Sequence, residues 1–323
     1  MGPLEEELDL TNAHLSSLET VPLAENLTSL DLTANRLRDL EPRLLALTGL
    51  RKLSLRQNVL TTAAALEQSA FAPVLQELVL HDNHLSQANH GAPNLATMTS
   101  LTRLELSYNQ IKSLSPLSVC RALSLRELFV SNNKISSLEG CRHFTQLTLL
   151  ELGANRLAAL DGIASFPDLR ELWLGSNRIA GNPSLSCLMR LERLSIQSNR
   201  LCSMGGLCLA ATMRELYLSH NNIQSIEGLD NLVQLRVLDL SNNALHSLDG
   251  IVHLQLLEDL WLNDNQLKDL HSVVQVLVKL KAHLSCVYLA GNPAADDDVS
   301  YRQLLPQLLP CLQQLDSDAV PGR

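Results

Sequence analysis

The chain is predicted to be an α/β solenoid of stacked coils: a curved parallel β-sheet on the concave face, short 3₁₀ or irregular segments on the convex face, and a capping helix at the C-terminal end. Three observations predict it. Asparagine recurs along the chain at Asn35, Asn58, Asn83, Asn109, Asn133, Asn155, Asn177, Asn199, Asn221, Asn243, Asn265 and Asn292, in steps of 23, 25, 26 and 24 residues, then 22 six times, then 27. Around these asparagines stands the frame Leu-x-Leu-x-x-Asn-x-Leu/Ile. The composition is 46% hydrophobic but only 3% aromatic, so leucine must fill the core. A fixed period of this length and pattern is the signature of a leucine-rich repeat.

Each element follows from the frame. The Leu-x-Leu pairs, from Leu8/Leu10 through Leu30/Leu32 to Leu260/Leu262 and Val287/Leu289, alternate with period two and read as short strands with both apolar residues inward. Thirteen such pairs can be laid out. A coil of this kind cannot bury its edges alone, so stability comes from neighbouring coils and both ends need caps. The asparagine lies just past the strand, where its amide can satisfy backbone groups that leave the ladder at the corner; Ala13 replaces it in the first coil, an atypical terminal repeat. Glu139-Gly140, Asp161-Gly162, Glu227-Gly228 and Asp249-Gly250 share one phase, which predicts a turn using glycine's freedom at positive φ. The longer early steps place Gln87–Pro93 on a loop of the convex or lateral side. After Asn292, the acidic triplet Asp296-Asp297-Asp298 precedes Leu304, Leu305, Leu308 and Leu309 at helical spacing, as at the start of a capping helix. At 323 residues the chain is long enough for about two ordinary domains, but the repeat predicts one array over 1–292, a cap over 293–318 and a tail over 319–323.

The formal net charge of −9 argues against nucleic-acid binding by counterion release and favours a basic protein partner. The N-terminus has neither the positive start nor the apolar run of a secretory signal, and no apolar stretch approaches the length of a membrane span. Seven cysteines at no ligand-like spacing read as small apolar residues of a reducing compartment. An intracellular protein, nuclear and/or cytoplasmic, is expected.

On a parallel curved sheet the residue between the two leucines and the one before the first project onto the concave surface. The middle column runs Asp9, Asp31, Ser54, Val79, Glu105, Phe129, Glu151, Trp173, Ser195, Tyr217, Asp239, Trp261 and Tyr288. The adjacent column runs Glu7, Ser29, Lys52, Glu77, Arg103, Glu127, Leu149, Glu171, Arg193, Glu215, Val237, Asp259 and Cys286. Together they hold eleven acids and three bases, a net of −8, and both tryptophans of the chain. Exposed aromatics interleaved with carboxylates suit a protein interface, with rings as anchors and charges for steering. With strands about 4.8 Å apart, Phe129 and Trp261 would lie roughly 29 Å apart along the face, a span for a macromolecule. The plainer alternative, aromatics that merely stack on one another, predicts clustering rather than alternation with Glu151 and Asp239.

No catalytic constellation emerges. His81-Asp82-Asn83-His84 is the only local cluster, and Asn83 already belongs to the frame. Carboxylates on an open strand face lack the enclosing pocket that shifts pKa values. The acidic triplet lacks the ligand spacing of a calcium loop. Neither cofactor nor metal is expected.

The 22-residue coils with Glu/Asp-Gly turns, and the terminal run Val287-Tyr288-Leu289-x-x-Asn292-Pro293, Tyr301-Arg302, Leu309-Pro310 and Leu315-Asp316, resemble the regulatory subunit 7 family of type-1 protein serine/threonine phosphatase. The resemblance covers about residues 100 to 318. It implies a non-catalytic subunit that receives the phosphatase catalytic subunit on its concave face, with room for a third regulatory protein, and no nucleic acid or membrane. It further implies Glu105, Phe129, Glu151, Trp173, Asp239, Asp259, Trp261 and Tyr288 as the partner-binding positions. The alternative is a general leucine-rich repeat adaptor, cytoskeletal or ciliary, that offers the same face to another basic partner.

Overall fold

A computed structural model of the chain describes residues 6–86, 93, 95–181, 183–297 and 300–320. They belong to two compact units, Met1–Leu169 and Arg170–Arg323. In the first unit the strands are β1 (Glu7–Asp9), β2 (Ser29–Asp31), β3 (Lys52–Ser54), β4 (Glu77–Val79), β5 (Arg103–Glu105), β6 (Glu127–Phe129) and β7 (Leu149–Glu151). Each pairs in parallel with the next, and the register sets leucine against leucine, from Leu8 opposite Leu30 to Leu128 opposite Leu150. In the second unit β8 (Glu171–Trp173), β9 (Arg193–Ser195), β10 (Glu215–Tyr217), β11 (Val237–Asp239), β12 (Asp259–Trp261) and β13 (Cys286–Tyr288) do the same, with Val287 in leucine's place in β13. The strands fall on the Leu-x-Leu pairs. Leu8, in the terminal coil with a neighbour on one side only, is half-buried, whereas Leu30, Leu53 and Leu78 are fully covered.

Within each unit the asparagine amide joins a coil to the one before it. Asn243 Nδ2 donates to the carbonyls of Leu218 at 3.0 Å, Leu240 at 3.1 Å and Ser241 at 3.1 Å, and its Oδ1 accepts from the Ile223 N–H at 3.0 Å. Asn109 repeats the set in the first unit, with Leu80, Leu106 and Ser107 as acceptors and the Leu85 N–H as donor. The residue before each ladder asparagine from Asn35 to Asn265 is left-handed, with φ from 51° at Ala154 to 58° at Ala34, and before Asn292 glycine takes the place, Gly291 at φ 71°. Its N–H reaches across to the next coil, as from Asn132 to the Gly153 carbonyl and from Asn242 to the Asn263 carbonyl, both 2.9 Å. Positive φ was expected only at glycine; here an inter-coil hydrogen bond holds non-glycine residues in a conformation that costs each about 1 kcal/mol or more. The glycine turns are present too. Gly140 has φ 95°, and a Cβ there would lie 2.1 Å from the Leu114 carbonyl oxygen.

The return segments are mainly short: α1 (Pro42–Leu45) and 3₁₀ turns at Ala64–Gln68, Ser115–Val119 and Ile163–Ser165. Phe71, Phe144 and Phe166 fill the core behind them. One segment departs from the expectation. The 27-residue step between Asn265 and Asn292 accommodates α2 (Leu270–Lys279), whose N-cap Asp269 accepts from the His271 N–H and whose inner face buries Val273, Val276 and Leu277. The loop predicted over Gln87–Pro93 lies mostly outside the described residues, as does Asp298 of the acidic triplet.

The C-terminal cap contains the expected helix and more. After α3 (Pro293–Asp297) and α4 (Tyr301–Leu308), β14 (Gln314–Leu315) adds in parallel to β13, and β15 (Asp318–Ala319) turns back antiparallel on β14. Buried Asp316 ties these pieces together. Its Oδ1 accepts from the Leu289 N–H at 2.7 Å and the Ala290 N–H at 2.9 Å, and its Oδ2 from the Tyr301 hydroxyl at 2.7 Å. Burial, with Asp316 adding to it, pushes the Tyr301 phenol up to about 12. The short, reversed β15 blunts an edge that would otherwise invite further strand pairing. No helix among the described residues is long and apolar enough to cross a membrane.

Two substitutions weigh these contributions. Leu240→Ala opens a cavity at a fully buried site and should cost about 2–5 kcal/mol. Asn243→Ala strips the side-chain partner from four buried backbone groups and should cost about 2–4 kcal/mol. Urea unfolding should show lowered midpoints for both; an unchanged midpoint for Asn243→Ala would mean that the amide ladder adds no net stability.

Candidate functional site

The first and third residues of each strand share the face opposite the central leucine. In the second unit the third positions pair in the order Trp173, Ser195, Tyr217, Asp239, Trp261 and Tyr288. From Trp173 to Trp261 large rings thus alternate with small side chains, whereas Trp261 and Tyr288 are adjacent. Strands two apart are separated by about 9.6 Å, yet the Trp173 and Tyr217 centroids are 6.1 Å apart and stacked, and those of Tyr217 and Trp261 are 6.3 Å apart. The rings lean together over Ser195 and Asp239, which are 3% and 4% exposed. Trp261 then meets Tyr288 edge-on at 6.2 Å. Stacking, which alternation with acids was expected to disfavour, therefore occurs, because the intervening residues are small enough to lie beneath the rings. The result is a continuous row of half-buried aromatics.

Asp239 corrects a second expectation. Its Oδ1 accepts from both the N–H and the hydroxyl of Ser241, at 3.0 and 2.7 Å. It is a buried bracing group rather than an exposed acid.

The first positions brace the same row. Arg193 lies between Glu171 and Glu215, 2.8 and 2.9 Å from their carboxylates, and Glu215 foremost, then Glu171, raises its pKa. Each glutamate also holds a ring: Trp173 Nε1 donates to Glu171 at 3.3 Å and the Tyr217 hydroxyl to Glu215 at 3.1 Å. Burial, with Glu215 adding to it, pushes the Tyr217 phenol up to about 12. Gln314 of the cap donates to the Tyr288 hydroxyl. Among the described residues the buried Trp261 indole N–H finds no hydrogen-bond partner. Its polar neighbour is the soft Cys286 sulfur, whose thiol burial pushes up and Trp261 draws back down. Burial raises the pKa of Asp259, opposed by the Ser285 hydroxyl 3.4 Å away.

In the first unit the face is more acidic and less aromatic. Its two columns carry seven acids against Lys52 and Arg103, a net of −5; the second unit carries four acids against Arg193, a net of −3. Glu105 accepts from the Ser107 N–H at 3.0 Å and lies 3.6 Å from His81 Nδ1. Glu151 accepts from the Ser131 hydroxyl at 2.6 Å. Asp9 and Asp31 likewise accept from the N–H two residues on. Many of these carboxylates thus close the strand end, a structural use that the column alone did not disclose. Phe129 is half-buried beneath the Arg103 guanidinium, 4.2 Å above its ring, and Arg103 also pairs with Glu127. Lys52 pairs with Glu77 at 2.8 Å. Every base on the face is therefore neutralised by a neighbouring strand, which leaves surplus carboxylate charge in each unit.

Of the expected partner-binding residues, Trp173, Trp261 and Tyr288 are brought together with Asp259 on the second unit. Glu105, Phe129 and Glu151 lie on neighbouring strands of the first. Tyr217, absent from the expected set, links the two tryptophans; its signal was its place in the same column, 44 residues from each. The cluster His81-Asp82-Asn83-His84 divides, with Asn83 buried in the ladder, and no group of three His, Cys, Asp or Glu among the described residues could hold a metal.

Comparisons with known proteins agree with this architecture. Family models of leucine-rich repeats match residues 25–85, 73–135 and 99–157, and residues 212–253 and 233–275. The chain belongs to the leucine-rich repeat proteins. Over 156 residues it is 43% identical to the protein phosphatase 1 regulatory inhibitor subunit PPP1R7 homolog of Arabidopsis thaliana, covering 48% of this chain and 46% of that protein. Over 130 residues it is 36% identical to tubulin-specific chaperone E of Xenopus laevis, covering 39% and 23%. The matches thus span less than half the length of these relatives. Among solved structures, an internalin of Listeria monocytogenes superposes with a TM-score of 0.70 at 21% identity, over 98% of this chain and 87% of that one. A leucine-rich repeat protein of Leptospira interrogans gives 0.66 at 24%, over 95% and 94%. At these identities the structural likeness concerns the fold.

Asp259 provides a test of the face's electrostatics. A carboxyl whose folded pKa is raised destabilises the fold once pH exceeds its unfolded value, near 3.8. Asp259→Asn should therefore melt higher than wild type at pH 7, and the difference should vanish as pH falls below that value. A variant that melts lower at pH 7 would contradict the assignment.

Proposed function

We propose that this chain is a non-catalytic regulatory subunit that binds the catalytic subunit of a type-1 protein serine/threonine phosphatase on its strand face. The observation that carries the reading is the aromatic row of the second unit, braced by Glu171, Arg193 and Glu215 and flanked by desolvated Asp259. Preorganised rings lose little entropy on binding and make good hot spots. The surplus carboxylate charge of each unit steers a basic surface toward them. The regulatory-subunit homolog at 43% identity supports the choice of partner.

Within this reading Trp173, Trp261 and Tyr288 are the anchors, joined by Tyr217. Glu105, Glu151 and Asp259 face lysine or arginine of the partner. Asp239 supports the rings from beneath, and Phe129 contributes through the Arg103 that covers it. The complex forms inside the cell, in the nucleus, the cytoplasm or both.

The test is co-purification from lysate with the full chain. Trp173→Ala combined with Asp259→Ala should weaken recovery of the phosphatase catalytic subunit by about 30-fold or more, the equivalent of one hot spot, while the variant still unfolds in one cooperative thermal transition. Undiminished recovery would remove this face from the interaction. Absence of the phosphatase from the wild-type pull-down would favour a general adaptor.

A further inference from the structure

The first unit carries a second charged surface, of opposite sign, just past the asparagine ladder. Here successive coils are held in register by two backbone ladders. One runs through the left-handed residues, as from Ala34 N–H to the Arg56 carbonyl at 2.9 Å and from Gln57 N–H to the His81 carbonyl at 2.8 Å. The other runs through the residues that follow each asparagine, as from Lys134 N–H to the Ile111 carbonyl and from Arg156 N–H to the Ile135 carbonyl, both 2.8 Å. The positions along this edge bear Arg36, Arg38, Arg56, Lys112, Lys134 and Arg156, against the acids Asp39 and Asp82. All six bases except half-buried Lys134 are exposed. None is in an ion pair among the described residues, whereas all three bases of the strand face are.

Two further features distinguish the edge from an ordinary solvated surface. Tyr108 stands in the middle of it, 52% exposed, with its ring 4.9 Å from that of His81. It is held at φ 55°, where the equivalent residues Ala34, Gln57, Asp82, Asn132 and Ala154 are small or polar. The left-handed turn is common to every coil and is set by the inter-coil hydrogen bond; what is particular here is a large exposed ring at a position held elsewhere in this unit by small or polar residues. The same edge carries a groove of about 470 Å³ lined by Arg38, Asp39, Val59, Thr61 and His84.

We propose that this edge docks an extended acidic polypeptide segment, with the segment's carboxylates on Arg36, Arg38, Arg56, Lys112, Lys134 and Arg156 and an apolar side chain against Tyr108. The bases come from five of six successive coils about 4.8 Å apart and so follow the stacking direction, as an extended chain laid along this edge would. A polypeptide can alternate carboxylates with apolar side chains and so use the bases and Tyr108 together, whereas a nucleic acid carries a charge at every phosphate and is repelled more strongly by the adjoining strand face, net −5 in this unit. The proposal is independent of the phosphatase reading, because it uses another surface and a partner of opposite charge.

The probe is a fluorescent peptide of repeated Glu-Glu-Leu triplets, titrated with the full chain by anisotropy beside a Lys-Lys-Leu peptide and an oligothymidine. The acidic peptide should bind, and weaken at least about tenfold as salt rises from about 0.1 to about 1 M and the screening length falls from about 10 to about 3 Å. Arg38→Glu, Lys112→Glu and Arg156→Glu combined should abolish binding while the melting temperature and phosphatase recovery stay at wild-type levels. Should that variant fail to fold, Arg38→Gln with Lys112→Gln must lower affinity severalfold. Tyr108→Ala should weaken binding without changing its salt dependence. Binding that survives the charge changes, tighter binding of oligothymidine, or no binding of the acidic peptide at low salt would overturn the proposal.

Discussion

A carboxamide that donates to three carbonyls and accepts one N–H is the interaction on which the rest of this molecule depends. At each corner the chain leaves its parallel ladder, and four backbone groups would be buried without partners. The amide satisfies them, and because one acceptor and the donor it meets belong to the preceding coil, the same contact that ends one strand sets the register of the next. Leucine stacking then contributes the bulk of the apolar burial, but the amide decides which leucine meets which. At the C-terminal end a carboxylate takes over part of this task, with Asp316 receiving two N–H groups and the Tyr301 hydroxyl.

Fixed register turns a repeating core into a programmable surface. Positions that share a phase fall into columns, and a column may be charged, aromatic or small without disturbing the leucines behind it. On the strand face, side chains from neighbouring coils hold one another: Arg193 joins Glu171 to Glu215, and these two carboxylates hold the Trp173 and Tyr217 rings. Such bracing contributes little to stability at partly exposed sites. Its effect is to restrict rotamers before any partner arrives.

The strands and the ladder were legible in the sequence because both rest on spacing, and spacing survives any choice of surface residue. Depth was not. The column that contains Asp239 predicts which way it points, but its burial depends on the Tyr217 and Trp261 rings closing over it from the neighbouring strands. The left-handed corners were hidden for a related reason: Gln57, Tyr108 and His220 carry no glycine signal, and their conformation comes from a hydrogen bond to the next coil. Helix α2 was masked because the apolar positions Val273, Val276 and Leu277 lie in a stretch where a return segment would be apolar in any case. The two-residue strands of the cap are too short to leave a pattern at all.

The alternation of rings with small residues has a consequence for how such a surface can change. The coil repeats every 22 residues, but the aromatic row repeats every 44, from Trp173 to Tyr217 and from Tyr217 to Trp261. Gain or loss of one coil would leave the core intact yet place ring beside ring or gap beside gap. Gain or loss of two would preserve both. The fold therefore counts in single coils and this aromatic row counts in pairs, so an array that lengthens by one coil keeps its core and breaks the row, whereas one that lengthens by two keeps both.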